Sequence, residues 1–102
     1  MKLITLFLSC SDKEEADKIA AKLLEDKLAV CIKQAAITSD YLWKGNIENG
    51  QEVLLIIDSS EDKFNRIEAA VKQIHSYDTF VLTAYPVVRS SAGVVDWVKE
   101  SL

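Results

Sequence analysis

The chain has 102 residues, enough for one domain spanning 1–102 and too few for two. Hydrophobic residues make up 49% and charged residues 27%, the balance of an ordinary globular chain and not of a disordered or fibrous one. A formal net charge of −4 with no basic stripe argues against nucleic acid as a partner, and no apolar run approaches the ~18 residues of a membrane span.

Taken in chain order, Lys2 to Ser9 reads as a strand that is apolar on both faces, with Ile4, Leu6 and Leu8 on one and Leu3, Thr5 and Phe7 on the other. The same stretch imitates a lipoprotein signal, with Lys2, an apolar run and Cys10 after a small residue. The run, about seven residues, is at the bottom of the signal-peptide range, and cleavage would remove a well-formed strand, so a strand is the expected reading. Ser11-Asp12-Lys13-Glu14 fits a capping box, with Glu14 reaching back. Ala16, Ile19, Ala20, Leu23 and Leu24 then recur at helical spacing, and the helix is expected to end near Lys27. Glu14, Glu15, Asp17 and Lys18 read as its solvated face.

Residues 28–59 read as two strands joined by a turn. Asn49-Gly50 is the stronger hairpin signal; Lys44-Gly45 is weaker and would place Asn49-Gly50 inside the second strand as a bulge. Leu28 to Trp43, fully extended, would span roughly 50 Å. A compact domain of this size is about 35 Å across. Ser59 or Ser60 caps the next helix, whose buried stripe is Phe64, Ile67, Val71 and Ile74. Phe80 to Val88 reads as a strand, with Pro86 confined to an end or an edge. Ser90 or Ser91 opens a short final helix carrying Val94, Trp97, Val98 and Leu102.

The order β-α-β-β-α-β plus a short C-terminal helix predicts an α+β, ferredoxin-like fold with an antiparallel sheet and an extended hairpin. Two helices cover one sheet face. The other face should be polar if it meets water, yet the strands are apolar on both sides. Leaving several such side chains wet forfeits several kcal/mol at ~25 cal/mol per Å². A sibling chain is therefore expected to cover them, with Tyr41, Trp43 and Ile47 at the hairpin tip and Val53, Leu55 and Ile57 along the strand.

The blocks Leu28-Ala29-x-Cys31, Ser39-x-Tyr41-x-Trp43-x-Gly45, Glu52-Val53, His75-x-Tyr77 and Trp97-Val98 together resemble the CutA divalent-cation-tolerance family over essentially the whole chain. The resemblance implies a ferredoxin-like protomer in a homotrimer whose long hairpins pack on one another, with the turn at Lys44-Gly45. It also implies His75 as a ligand for copper or another divalent cation, with Asp78 and Cys10 beside it. The chain departs from the family's His-Pro-Tyr-Glu pattern: Ser76 stands for the first Pro, Asp78 for the Glu, Phe80 for a second Pro and Val81 for a second Glu. Asp58-Ser59 replaces a frequent Lys-Thr pair.

Each candidate has a plainer reading. His75 closes the second helix against its negative end, Cys31 is a small buried hydrophobe, and Tyr41 and Trp43 pack between subunits instead of stacking a ligand. No nucleophile with an adjacent base and no phosphate loop is visible, and SCSDKEE lacks the arginine an acylphosphatase would want. The expectation is a non-enzymatic, cytoplasmic homotrimer linked to divalent-cation tolerance. It needs no cofactor, binds copper or another divalent cation weakly, and leaves room for an unidentified protein partner. The cytoplasmic assignment rests on only two cysteines. The alternative is a trimeric PII-like regulator binding a nucleotide or other small ligand between subunits.

Overall fold

The β-branched and leucine-rich start of the chain forms strand β1, Leu3–Cys10, in a computed structural model that describes residues 1–102. Helix α1, Lys13–Glu25, follows at once. Its N-cap is Asp12, whose carboxylate accepts from the Glu15 N–H at 2.8 Å. Glu15 reaches back to the Ser11 N–H at 2.7 Å and the Ser11 hydroxyl at 2.9 Å. The capping box is thus shifted one residue from the Ser11–Glu14 expectation. Glu14 faces out and pairs with Lys18, whereas Glu15 is buried and finds a further donor in the Ser76 N–H. At the other end Lys27 adopts φ 55°, and the Leu28 N–H returns to the Leu23 carbonyl at 2.8 Å. That is the left-handed C-terminal closure usually given to glycine.

Strands β2, Cys31–Trp43, and β3, Asn46–Ser60, meet at Lys44-Gly45, where both residues have positive φ, 50° and 81°. Two consecutive left-handed residues match the twist of the flanking strands, so this weaker sequence signal forms the hairpin turn. Asn49 and Gly50 lie inside β3 opposite Asp40 and Ser39 in unbroken register, so the expected bulge does not form.

A 3₁₀ turn, Glu61–Lys63, precedes helix α2, Phe64–Ile74, which buries Ile67 and Val71 with Phe64 and Ile74 partly covered. Ser60 stands at the N-terminus of that turn, but its hydroxyl bonds Asp62 and caps no backbone N–H. Strand β4 is Leu82–Pro86, shorter than the Phe80–Val88 expected, with Pro86 closing it at the sheet edge. The final helix α3, Val94–Ser101, starts after Gly93 at φ 90°, later than a cap at Ser90 or Ser91 would give. No helix is long and apolar enough to cross a membrane.

All neighbouring strands are antiparallel, in the order β2-β3-β1-β4. Ile4, Leu6, Leu8 and Cys10 share a face with Leu55 and Ile57 and pack against Ala16, Ile19, Leu23, Ile67 and Val71. This corrects part of the expected interface. Leu55 and Ile57 are 0% exposed in their own chain's core, and Val53, opposite Cys10, lies against the same core. Leu55 and Ile57 leave nothing for a sibling chain to cover, and Val53 is only partly exposed. The sheet side away from α1 and α2 carries Leu54 and Ile56 instead, one residue out of phase, because a single step flips every side chain to the other face.

Of β3, strand β1 pairs with Val53–Ser60 alone, so residues 46–52 and their partners 37–43 run on as a two-stranded arm with no third strand beside it. The longest dimension is 45 Å against 25 and 22 Å across. At the arm's tip Tyr41, Leu42, Trp43 and Ile47 are 48, 75, 53 and 79% exposed.

Candidate functional site

The end of β1, the first turn of α1 and the segment leaving α2 converge on one polar knot. Cys10 sits at the last position of β1 on the helix-covered side and is fully buried. Glu15 enters from α1. His75 is the C-cap of α2, its N–H bonded to the Val71 carbonyl at 2.8 Å, as a helix-terminating histidine should be. The Cys10 thiol, a Glu15 carboxylate oxygen and a His75 ring nitrogen lie within 4.8 Å of one another. Sequence reasoning named Cys10 and His75; it put Asp78 third, but Asp78 is exposed and outside the cluster, and Glu15 takes that place.

Each group already has partners. His75 Nδ1 accepts from the Tyr77 N–H at 3.1 Å, which assigns the ring hydrogen to Nε2, and Nε2 donates to the Ser9 carbonyl at 2.8 Å. Nε2 also lies 3.8 Å from Glu15. One Glu15 oxygen takes both Ser11 donors and the other takes the Ser76 N–H. Burial alone would raise the Glu15 carboxyl, but the donors from Ser11 and Ser76 outweigh it and hold the group below the ordinary value of 4.5. Burial pushes the Cys10 thiol up to about 12, with the anionic Glu15, Glu52 and Asp12 adding to it. No buried side-chain polar atom is left without a partner.

The segment after His75 lies across the histidine. Tyr77 and Phe80 flank the imidazole with ring centroids at 4.8 and 5.3 Å. The Tyr77 hydroxyl donates to Glu52 of β3 at 2.9 Å, and burial with that carboxylate pushes the phenol up to about 12. Glu15, Tyr77 and Ser76 were missed as members of this site. The signal that could have found Glu15 was present: a box begun at Asp12 instead of Ser11 has Glu15 as its far end.

Beside the knot, a groove of about 510 Å³ runs between the start of α1 and the base of the arm, lined by Asp12, Lys13, Thr38 and Glu52. Lys13 is already bonded to Asp17 at 2.6 Å and Gln34 at 3.2 Å. On the open side of the sheet, Asp58 accepts from Lys33 at 3.0 Å and from Thr5 at 3.2 Å, and Lys33 lies 3.6 Å from the Cys31 sulfur.

A ferredoxin-like sheet with an overlong hairpin and a buried thiol–carboxylate–imidazole knot defines a class of small α+β protein, and comparison with known proteins narrows it. The sequence model of the CutA1 divalent ion tolerance protein family matches residues 4–101, and this chain belongs to that family. The divalent-cation tolerance protein CutA of Archaeoglobus fulgidus is 35% identical over 97 residues, 95% of each chain. A solved structure from that organism, described as a periplasmic divalent cation tolerance protein, superposes with a TM-score of 0.95 at 34% identity, covering 97% of both chains. The CutA1 structure from Oryza sativa also superposes at 0.95, with 28% identity over 99% of this chain and 94% of its own.

Proposed function

We propose that this member of the divalent-cation tolerance family works as a non-catalytic homotrimer that holds a divalent cation weakly at Cys10, Glu15 and His75. The observation that carries the metal reading is the approach of thiol, carboxylate and imidazole to within 4.8 Å of one another. Sulfur and imidazole ligands suit copper or zinc over magnesium or calcium. The weakness follows from the hydrogen bonds. A cation at Nε2 must displace the ring hydrogen from the Ser9 carbonyl, and a cation at the sulfur must displace a proton held up to about 12.

Association with other copies is supported by the arm and by the half-exposed apolar side of the sheet, which one protomer cannot cover; the number three rests on the family resemblance alone. Cys10 and His75 are neighbours, as in a thiol dyad, but the reading is non-catalytic: the thiol is buried and protonated, and the imidazole N–H is committed to a backbone carbonyl. Two unpaired cysteines favour a reducing compartment, the cytoplasm, although the Archaeoglobus fulgidus relative is described as periplasmic. A PII-like nucleotide regulator has less support. The groove beside the site carries Asp12 and Glu52, and its one lysine is occupied by Asp17, a poor lining for phosphates.

Thermal denaturation with Zn²⁺ or Cu²⁺ tests the metal reading, since a ligand bound only by the folded state raises its apparent stability. The expected result is a metal-dependent rise in Tm that His75→Ala abolishes and Asp78→Ala leaves intact. No rise, or a rise that survives His75→Ala, contradicts it.

A further inference from the structure

Residues 76–81 connect α2 to β4 without regular structure, and none of them takes part in a backbone–backbone hydrogen bond outside the helices and strands. What holds them is side-chain chemistry. The Glu15 carboxylate takes the Ser76 N–H, and the Glu52 carboxylate takes the Tyr77 hydroxyl. The His75 ring takes the Tyr77 N–H and lies against Tyr77 and Phe80. Ser76, Tyr77, Asp78 and Thr79 are exposed, while the Cys10 thiol and the His75 side chain beside them are fully buried.

We propose that residues 76–80 are a strap, latched by Glu15 and Glu52, whose local opening admits a soft cation or a thiol reagent to Cys10 and His75. A segment tied by a few side-chain bonds and no backbone ladder opens at a fraction of the free energy of global unfolding. Opening also releases the Tyr77 N–H from Nδ1 and leaves that nitrogen a free lone pair, while Nε2–H stays on the Ser9 carbonyl. The same motion that uncovers the thiol therefore turns the imidazole into a ligand. The purpose of the strap rests on the metal reading above; its existence does not, and its test uses no metal.

The test is the rate at which Cys10 reacts with 5,5′-dithiobis(2-nitrobenzoate) in a Cys31→Ser background, where Cys10 is the one remaining thiol. Tyr77→Phe keeps the ring on His75 and removes only the hydroxyl latch. It should speed labelling about tenfold, the factor expected from losing a hydrogen bond to a carboxylate. Glu52→Gln, leaving the ring and the hydroxyl in place, should speed it in the same direction by less. Labelling in the background protein should be nearly insensitive to low urea, because a strap exposes little surface. Rates unchanged in both variants, or a urea dependence as steep as that of global unfolding, would overturn the strap. Faster labelling with no metal-dependent rise in Tm would instead sink the metal reading and leave the strap standing.

Discussion

The two sides of one sheet carry side chains of the same kind and meet different fates. Under the helices, Leu6, Leu8, Leu55 and Ile57 are wholly buried. On the other side Phe7 is 39% and Tyr85 49% exposed, their rings 5.3 Å apart, with Ile56 beside Phe7 only partly covered. The first side is finished within the chain. The second has the composition of a core without the cover of one, which is the physical case for sibling chains.

Truncation should separate the two sides most sharply. Leu55→Ala removes a fully buried side chain and should cost about 2–5 kcal/mol of protomer stability in urea denaturation, whatever the state of association. Ile56→Asp, one residue on, places a charge on the half-covered side. It should leave the circular dichroism of the fold in place while lowering the mass of the particle in solution. If the two variants behaved alike, the distinction between the sides would be lost.

Glu15→Gln should come next, at about 1–3 kcal/mol, because its donors from Ser11 and Ser76 lose a charged acceptor. Its acid dependence has a definite sign. A carboxyl held below 4.5 in the folded state stabilises fully above that value, and the contribution fades as the pH falls through the lower folded one. Wild type should therefore lose more stability than the variant as the pH falls below 4.5. The smallest contrast lies within the arm. Gly45→Ala, at φ 81°, should be destabilising by about 1 kcal/mol, whereas Gly50→Ala, in extended backbone with open space around it, should be neutral or slightly stabilising.

Much of this could be read from the residues alone. The element order, the helical stripes through Ile19 and Leu23 and through Ile67 and Val71, and the surplus length of the hairpin all follow from periodicity and chain geometry. What failed did so where the pattern was degenerate. Val53 to Ile57 is apolar at every position, so nothing local marks which parity faces the helices, and the expected interface fell on the core side. Local preference leaves the turn open between Asn49-Gly50 and Lys44-Gly45; the family resemblance implies Lys44-Gly45, where the structure has it, and only the bulge expected at Asn49-Gly50 is absent. Glu14 and Glu15 both sit near a helix start, and the choice between them turns on whether the box begins at Ser11 or at Asp12. Asp78 is a candidate through the family's His-Pro-Tyr-Glu pattern, where it stands for the Glu, but it lies on an exposed segment after the helix end and outside the cluster.

The open side of the sheet and the arm are expected to be covered by other copies of this chain. Sedimentation equilibrium of the wild-type protein over a wide concentration range tests it most directly. The expected particle has three times the 11.4 kDa chain mass and shifts toward one chain in Ile56→Asp. A folded 11.4 kDa species whose mass does not change with concentration would contradict it.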